Sequence, residues 1–452
     1  MKENVSPDAS VASPDGGPRE LPRVLRGLDA SMLAVGVVVG TGIFAVPGYV
    51  AATLGAPGPI LLAWLLGGAL TLAGALTYAE LGSRLPQQGG SFVYVLHAFG
   101  PFAAFFKGWG AFLVGYPASC AVVATILGSY FAAALEAPPS VARAAAFVAA
   151  TLAWLLNLRG TRFSGTLQTV LTLLKVAAIA TLAVLALAVG PGQLDRLTLV
   201  GAGWPKASAF AAAMVGVLWT FDGWANLNTV AGEVRDPRRG LRRALIGTAV
   251  VVAALYLLVN VGYLVLLPFD QLAGSDSAAS AAAEAVLGPA GGRVIAAIVV
   301  VSAFGTLFGI WVAGPRYFYA MARHGLFFAA AGQVTADGST PRWGATALYV
   351  LTLAYLLTGS FSEILGFYVA VSLVYSTLAI AAVYRLRAKR IGEDSGYRVP
   401  GYPVTPALVI AAALWVTGSE IVASPVRTGI GLAMLVLALP AYRWWRRGHS
   451  RP

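Results

Sequence analysis

The fold of this chain is decided by the stretch Gly36-Val37-Val38-Val39-Gly40-Thr41-Gly42-Ile43-Phe44-Ala45-Val46-Pro47-Gly48. The stretch is apolar enough to lie inside a bilayer, yet it contains four glycines and a proline. Glycine interrupts a helix at low steric cost, and proline removes a backbone donor. Irregular backbone at membrane depth is tolerated only where it is buried in protein or lines a cavity. The stretch therefore predicts a transmembrane helix that breaks midway, beside a binding site.

A helix broken here would begin again at the backbone amides of Thr41, Gly42 and Ile43. The start of a helix carries a partial positive charge, which suits a small anionic group such as a carboxylate. A second interpretation stays open, because Gly36 and Gly40 also have the spacing that lets two unbroken membrane helices pack closely. Residues 40–45 formally match a dinucleotide-binding fingerprint, but no βαβ pattern surrounds them, and this interpretation is rejected.

The composition is that of a polytopic membrane protein. Of the 452 residues, 58% are hydrophobic and only 11% are charged, whereas about a quarter are charged in soluble proteins. The net charge of +12 does not indicate nucleic-acid binding, because the basic residues fall in short loops between apolar segments. The single cysteine, Cys120, cannot form an internal disulfide, and His97, His324 and His449 are too scattered for a metal site. We expect neither a metal nor a cofactor.

Segments of roughly 20 apolar residues predict an all-α fold of about twelve transmembrane helices. A membrane β-barrel would instead show short segments of alternating polarity, and these segments do not alternate. Residues 1–27 lack a hydrophobic segment and read as a disordered cytoplasmic tail rather than a cleaved signal. The predicted spans lie near residues 28–53, 59–82, 100–134, 141–158, 165–190, 207–231, 242–267, 291–320, 343–359, 363–384, 404–422 and 428–445.

A second break is predicted in the sixth span, between Trp219 and Asn228, where polar residues and Gly223 interrupt an apolar segment. Spans one and six hold corresponding places in two five-helix halves. This arrangement is typical of transporters built from two inverted repeats with the binding site at their interface. The predicted divisions are the first repeat at 28–190, the second at 207–384, and two additional helices at 404–445.

Asp222 lies at the predicted second break, where an aspartate near mid-membrane costs about 2.5–3.5 kcal/mol on the insertion scale. In one interpretation its side chain caps the following helix by accepting the amide of Trp224 or Ala225. In the other, its carboxylate faces a substrate cavity. The two interpretations are compatible if the cap leaves one oxygen free.

Lysine and arginine indicate the orientation of the spans. If the N-terminus is cytoplasmic, 25 of the 31 basic residues fall in the tails, in the even-numbered loops or at their membrane borders, and five face outward. The remaining one is Lys175, which lies about 15 Å of helix inside the fifth span, too deep to reach the interface fully. It needs internal partners, either as a substitute for a bound metal cation or as a tether between helices.

The glutamates Glu80, Glu233 and Glu420 lie at span ends, where loop salt bridges would account for them.

Short motifs follow one another in a fixed order along most of the chain. They are Gly40-Thr41-Gly42-Ile43-Phe44, Tyr78-Ala79-Glu80-Leu81-Gly82, Pro86, Gly89-Gly90, Tyr94, Phe99-Gly100-Pro101, Gly108-Trp109, Gln168 to Lys175, Asp222-Gly223-Trp224 through Glu233 to Pro237 and Arg238-Arg239, Arg316 to Gly325, Arg398-Val399-Pro400 and Tyr402-Pro403. In this order they resemble the amino acid–polyamine–organocation superfamily, and within it the L-type amino acid transporter branch. The resemblance implies the five-plus-five inverted repeat and an α-amino acid substrate.

The resemblance also implies a set of site residues. The amides of Thr41 and Gly42 would hold the substrate carboxylate, and the carbonyls of Val38, Trp219 and Asp222 its ammonium. Trp219 would be an aromatic gate, and Lys175, with Ser302, would replace a sodium ion. The implied substrate-binding residues are completed by Gly40, Ile43, Phe221 and Gly223.

The leading functional prediction is a sodium-independent permease for neutral L-amino acids, working by alternating access as an exchanger or with proton coupling. Cationic amino acids or polyamines are the alternative substrates. Ala225 stands where relatives that exchange arginine for its amine carry a glutamate, so that exchange is not expected here. Residues 135–140 lack the cysteine that links some relatives to a heavy subunit. A disulfide-linked partner is therefore not expected. A membrane enzyme would need a cluster of histidine, cysteine or carboxylate side chains, which the sequence does not show. A channel would need rings of polar residues instead of paired broken helices.

Overall fold

The computed structural model describes residues 23, 25–189, 197, 204–275, 277–335, 340–358 and 361–449. Nearly all of the predicted tail, residues 1–22 and 24, lies outside this set, and so does residue 190 at the end of the first predicted repeat. Within the described residues every regular element is a helix, apart from one isolated β-bridge between Leu25 and Val234. The prediction of an all-α fold is confirmed.

The helices follow the predicted spans to within a few residues over most of the chain. Their bounds are α1 Gly27–Val38, α2 Gly42–Leu54, α3 Pro57–Arg84, α4 Ser91–Phe99, α5 Pro101–Gly110, α6 Tyr116–Ala134, α7 Pro139–Asn157, α8 Thr161–Val189, α9 Ala207–Thr220, α10 Pro237–Leu266, α11 Phe269–Ala273, α12 Ala278–Leu287, α13 Pro289–Arg323, α14 Arg342–Thr358, α15 Phe361–Ala388, α16 Val404–Ala423, α17 Pro425–Val436 and α18 Ala438–His449. A turn of π-helix, Ala111–Gly115, joins α5 to α6, and a 3-10 helix, Trp224–Glu233, follows α9.

Nine helical segments of the described chain are long and apolar enough to cross a membrane. Three predicted spans are not among them. The sixth is interrupted because α9 ends after 14 residues, the ninth is α14 with 17 residues, and the twelfth is divided between α17 and the arginine-rich α18, each of 12 residues. The chain is a polytopic membrane protein, and the count of twelve spans remains a prediction.

The first three spans of the first predicted half pack against the spans that hold the corresponding places in the second half. The second span, α3, lies along the seventh, α10, and the third span, α6, lies along the eighth, α13. The first span packs on the sixth through contacts of α2 with α9 and of α1 with the 3-10 helix. Such pairing is what a two-fold axis between inverted repeats would produce. The domain boundaries at 28–190, 207–384 and 404–445 remain predictions.

Glu233 forms a salt bridge, but it does so inside the protein with a residue of α13, so the expectation of a loop salt bridge is wrong. Its side chain is 0% exposed, and it accepts hydrogen bonds from Arg316 Nε at 2.6 Å and Gln88 Nε2 at 2.8 Å. The 3-10 helix packs against α13, and the carbonyl of its last residue, Glu233, accepts the amide of Leu25 at 2.9 Å. The ion pair therefore joins the sixth and eighth spans, and this backbone hydrogen bond connects them to the residues just before the first span.

Glu80 is likewise fully buried, contrary to the expectation of a loop salt bridge. It accepts hydrogen bonds from Arg84 Nε at 2.8 Å, from Arg387 Nη2 at 2.6 Å and from the amide of Val399 at 2.6 Å. Because α15 packs against α3, the glutamate lies between helices instead of in a loop. The network ties the second span to the tenth and to the loop that follows it.

Candidate functional site

The first span is broken where the sequence predicts it. Helix α1 ends at Val38 and α2 begins at Gly42, and the Tyr256 hydroxyl donates a hydrogen bond to the Val38 carbonyl at 2.8 Å. The alternative use of the glycines for close packing also occurs. A Cβ atom on Gly36 would collide with the side chains of Gln168 and Thr172 on α8. Gly36 therefore serves helix packing, while the residues after Val38 form the break.

The second break follows the end of α9 at Thr220. Gly223 has a φ of +110°, a conformation that side-chain-bearing residues rarely adopt. A Cβ atom on Gly223 would also meet the side chain of Val37. The chain continues as a 3-10 helix rather than the α-helix expected from the sequence. Glycine is thus required here both for its backbone conformation and for the close approach of the first span.

The two breaks contact each other and enclose a small cavity. A Cβ atom on Gly42 would lie 2.6 Å from the Thr220 hydroxyl oxygen, so no side chain fits between the two spans. The cavity next to this contact has a volume of about 50 Å³. Its walls include Val38, Gly40, Thr41, Gly42, Trp219, Thr220, Asp222, Gly223, Asn226 and Tyr368.

The backbone at this cavity offers both donors and acceptors. Thr41 is the N-cap of α2, and the amides of Gly42 and Ile43 lie in its first turn, where N–H groups have no acceptor within their own helix. The Val38 carbonyl already accepts two hydrogen bonds, from the Tyr256 hydroxyl at 2.8 Å and from the Gly40 amide at 2.7 Å. The Trp219 carbonyl accepts the Asp222 amide at 3.1 Å, and because a carbonyl oxygen has two lone pairs it can accept a further hydrogen bond. The arrangement is complementary to a carboxylate and an ammonium held close together.

Asp222 does not cap through the amide of Trp224 or Ala225, so that part of the expectation is wrong. Its Oδ1 instead accepts the amide of the adjacent Gly223 at 2.7 Å, because Gly223 and not Asp222 occupies the N-cap position of the 3-10 helix. Its Oδ2 accepts the Tyr368 hydroxyl of α15 at 2.6 Å. The side chain is exposed to cavity space deep within the protein. Tyr368 is a site residue for which the sequence reasoning had no signal.

The two aromatic residues at the second break occupy different environments. Trp219 is half-buried and lies between the polar cavity and a larger apolar one of about 120 Å³. Phe221 is 1% exposed, and its ring packs 5.0 Å from that of Tyr256 and 6.0 Å from that of Trp64. The Phe221 ring therefore supports the break from the core side, whereas Trp219 lines the cavity.

Lys175 lies directly behind the first break. It is 1% exposed, and its ammonium donates to the carbonyl of Gly36, to the Thr306 hydroxyl at 3.1 Å and to the Ser302 carbonyl at 3.4 Å. Thr306 also donates to the Gly36 carbonyl at 3.2 Å. Three oxygen atoms from two spans thus surround one positive charge.

Ile43, at the other end of the break, is fully buried, and its carbonyl lies 3.4 Å from the Tyr263 hydroxyl.

A second buried lysine, Lys107 on α5, is a site residue that the sequence analysis missed. The charge count placed it with the basic residues at the cytoplasmic border. In the structure it is 2% exposed and lines a polar cavity of about 60 Å³ that also contacts Asp222, Tyr368 and Ser119. Because these three residues also line the cavity at the breaks, the two cavities adjoin. The available signal was a lysine among Phe105, Phe106 and Trp109 within a helix.

Comparison with known proteins places most of the chain in one family. A sequence model of the family described as amino acid permease matches residues 25–436. The chain is similar to the serine/threonine exchanger SteT of Bacillus subtilis (strain 168), with 32% identity over 419 residues that cover 92% of this chain and 95% of the relative. It is also similar to the cystine/glutamate transporter of Homo sapiens, with 28% identity over 440 residues covering 94% and 86% of the two chains. The large neutral amino acids transporter small subunit 2 of Mus musculus is 28% identical over 453 residues, covering 97% and 84%.

Proposed function

This chain belongs to the amino acid permease family, and we propose that it is a sodium-independent exchanger of neutral L-amino acids that works by alternating access. The family assignment confirms the resemblance to the amino acid–polyamine–organocation superfamily, including its L-type branch. Similar proteins are named for exchange of serine and threonine and for large neutral amino acids. These names support a neutral substrate for this chain.

One observation carries the proposal: the positive end of α2 and the carbonyl end of α9 meet at the same cavity. Every α-amino acid has a carboxylate and an ammonium on one carbon atom. In our proposal the first-turn amides of α2 hold the carboxylate, and the carbonyls of Trp219 and Asp222 hold the ammonium. Because the site uses only groups common to all amino acids, the side chain is selected by the adjoining walls.

Exchange can be measured with the purified protein in liposomes. We expect saturable uptake of labelled L-serine that is several times faster when the liposomes contain unlabelled serine, and that is unchanged when potassium replaces sodium. Uptake that is equally fast into liposomes without internal amino acid would exclude obligatory exchange. Protein that takes up no amino acid under either condition would contradict the proposed function itself.

Trp219 is proposed to cover the bound substrate, because it lines the cavity at the second break and is only half-buried. We expect Trp219→Ala to reduce serine exchange at least tenfold, since loss of a large aromatic contact costs roughly 3–5 kcal/mol, and Trp219→Phe to retain part of the activity. Phe221→Leu provides the comparison, because that ring packs in the core and should affect thermal stability more than apparent affinity. Normal exchange by folded Trp219→Ala would remove the gate assignment.

The protein spans a membrane several times, and we propose the cytoplasmic membrane with both termini in the cytoplasm. The distribution of basic residues supports this orientation. Ser140, in the first turn of α7, and Asp394, after α15, are both exposed. In a Cys120→Ser background, a cysteine replacing Ser140 should react with an impermeant maleimide from outside, and one replacing Asp394 only after the membrane is opened. The reverse pattern would contradict the orientation.

We propose an amino acid as the small-molecule partner and expect no disulfide-linked heavy subunit. Residues 135–140, between α6 and α7, contain no cysteine, and Cys120, the single cysteine of the sequence, is buried. A buried thiol cannot reach the cysteine of another chain without unfolding its surroundings. Non-reducing gels of the native membrane would show a higher-mass species sensitive to reductant if this expectation were wrong.

A further inference from the structure

The polar cavity that contains Lys107 is not explained by binding of the amino acid backbone. It is walled largely by hydroxyl groups, among them those of Ser91, Ser119, Tyr116 and Tyr317. Lys107 supplies its positive charge. No substrate backbone group is left to occupy this space, because the proposed carboxylate and ammonium contacts lie in the adjoining cavity at the breaks.

Within the described part of the chain, the Lys107 ammonium forms neither a hydrogen bond nor an ion pair. Its contacts are the faces of two aromatic rings, Tyr375 with the ring centroid at 4.3 Å and Tyr317 at 6.0 Å. A ring face attracts a cation but cannot replace the hydrogen bonds that an ammonium loses on burial. At 2% exposure, Lys107 is thus an incompletely satisfied cation that faces a cavity.

Asp222 is the acidic residue that lines the same cavity. Its two oxygens already accept hydrogen bonds from the Gly223 amide and the Tyr368 hydroxyl, and neither is hydrogen-bonded to Lys107. The cavity therefore contains a carboxylate whose two oxygens are already hydrogen-bonded and, within the described residues, an ammonium that has no hydrogen-bond acceptor. A ligand that satisfies Lys107 must place an acceptor or an anion near it.

We propose that Lys107 is a specificity-determining residue of the substrate site. Its ammonium donates to a hydrogen-bond acceptor on the substrate side chain, either a neutral polar group or a carboxylate. It repels cationic side chains. This inference rests on the proposed function and changes its substrate class in two ways: among neutral amino acids it favours those with a polar side chain, and it adds the acidic amino acids. It also argues against the cationic amino acids and polyamines, because an ammonium or guanidinium beside Lys107 would place two buried like charges together.

Competition in exchange liposomes tests this assignment. Uptake of labelled L-serine is measured against increasing external L-serine, L-glutamate or L-arginine, for the wild-type protein and for Lys107→Met and Lys107→Arg. We expect wild-type exchange to be inhibited by glutamate but not by arginine. In Lys107→Met the apparent affinity for glutamate relative to serine should fall by about tenfold or more, as expected when one partner of a buried charge pair is removed, and inhibition by arginine should emerge. Lys107→Arg keeps the charge and should preserve the wild-type order.

The comparison uses ratios of affinities, so a purely structural role for Lys107 gives a different result. A packing residue would lower the affinity for all three amino acids together and leave their order unchanged, which would overturn the assignment. If Lys107→Met does not fold, the competition measured with the wild-type protein decides the assignment of Lys107. Inhibition of serine uptake by arginine as strong as that by glutamate would overturn the assignment. The proposed function fails separately, by absence of any serine exchange. In that case the shift in thermal unfolding temperature caused by glutamate or arginine still tests Lys107 in the solubilised protein.

Discussion

Replacing Arg316 by methionine is expected to destabilise the protein by about 3–5 kcal/mol, the cost of leaving a buried charge without its partner. The Arg316 and Glu233 side chains are 1% and 0% exposed. The arginine makes hydrogen bonds from Nε and Nη2 to the carboxylate, at 2.6 and 3.3 Å, and from Nη1 to the Val312 carbonyl at 2.8 Å. Methionine fills the volume but leaves the Glu233 carboxylate buried with too few donors.

Thermal unfolding of the solubilised protein measures this effect, and the chain supplies a matched control. Arg398 pairs with Glu393 at 3.5 Å, with side chains 67% and 49% exposed, and such a surface pair contributes only about 0–1 kcal/mol. Arg398→Met should therefore shift the unfolding temperature little. A double variant, Arg316→Met with Glu233→Gln, should recover part of the loss, because neither charge then remains buried alone. Equal shifts for Arg316→Met and Arg398→Met would contradict the buried-pair interpretation.

Exchange activity is expected to fall at least tenfold in Lys175→Ala, because a lost set of charged hydrogen bonds costs about 1.5–3 kcal/mol or more. The ammonium holds oxygen atoms of Gly36, Ser302 and Thr306 around one positive charge. Without it these oxygen atoms lose the ammonium that they share, and the Gly36 carbonyl keeps only the Thr306 hydroxyl as a side-chain donor. In our proposal Lys175, with Ser302, takes the place of a sodium ion, so the wild-type protein should transport equally well in sodium and in potassium.

Uptake by reconstituted wild-type, Lys175→Ala and Lys206→Ala proteins tests this role. Lys206 is an exposed lysine immediately before α9, so its replacement removes the same charge without affecting the break. Comparable protein yields for the two variants would separate lost transport from lost folding. Stimulation of the wild-type protein by added sodium, or normal exchange by Lys175→Ala, would contradict the assignment.

The sequence alone predicted the breaks because their causes are local. Between Val38 and Gly42 the glycines permit an interrupted helix, and at Gly223 the backbone adopts a conformation that few other residues tolerate. Hydrophobic length similarly predicted most span boundaries, since a helix must cover a membrane of fixed thickness. The depth of Lys175 followed from counting residues along a single helix.

Tertiary structure alone decided which groups meet. Tyr368 binds Asp222 from a position 146 residues later in the chain, and nothing local to either residue indicates that pairing. Lys107 looked like a border lysine because its position in α5 is close to the predicted membrane edge, and only the packing of the tyrosines from α13 and α15 makes it part of a cavity. Glu80 and Glu233 looked like loop residues for the same reason. Periodicity specifies which face of a helix is apolar, whereas the partner of a buried charge depends on contacts between helices that are distant in sequence.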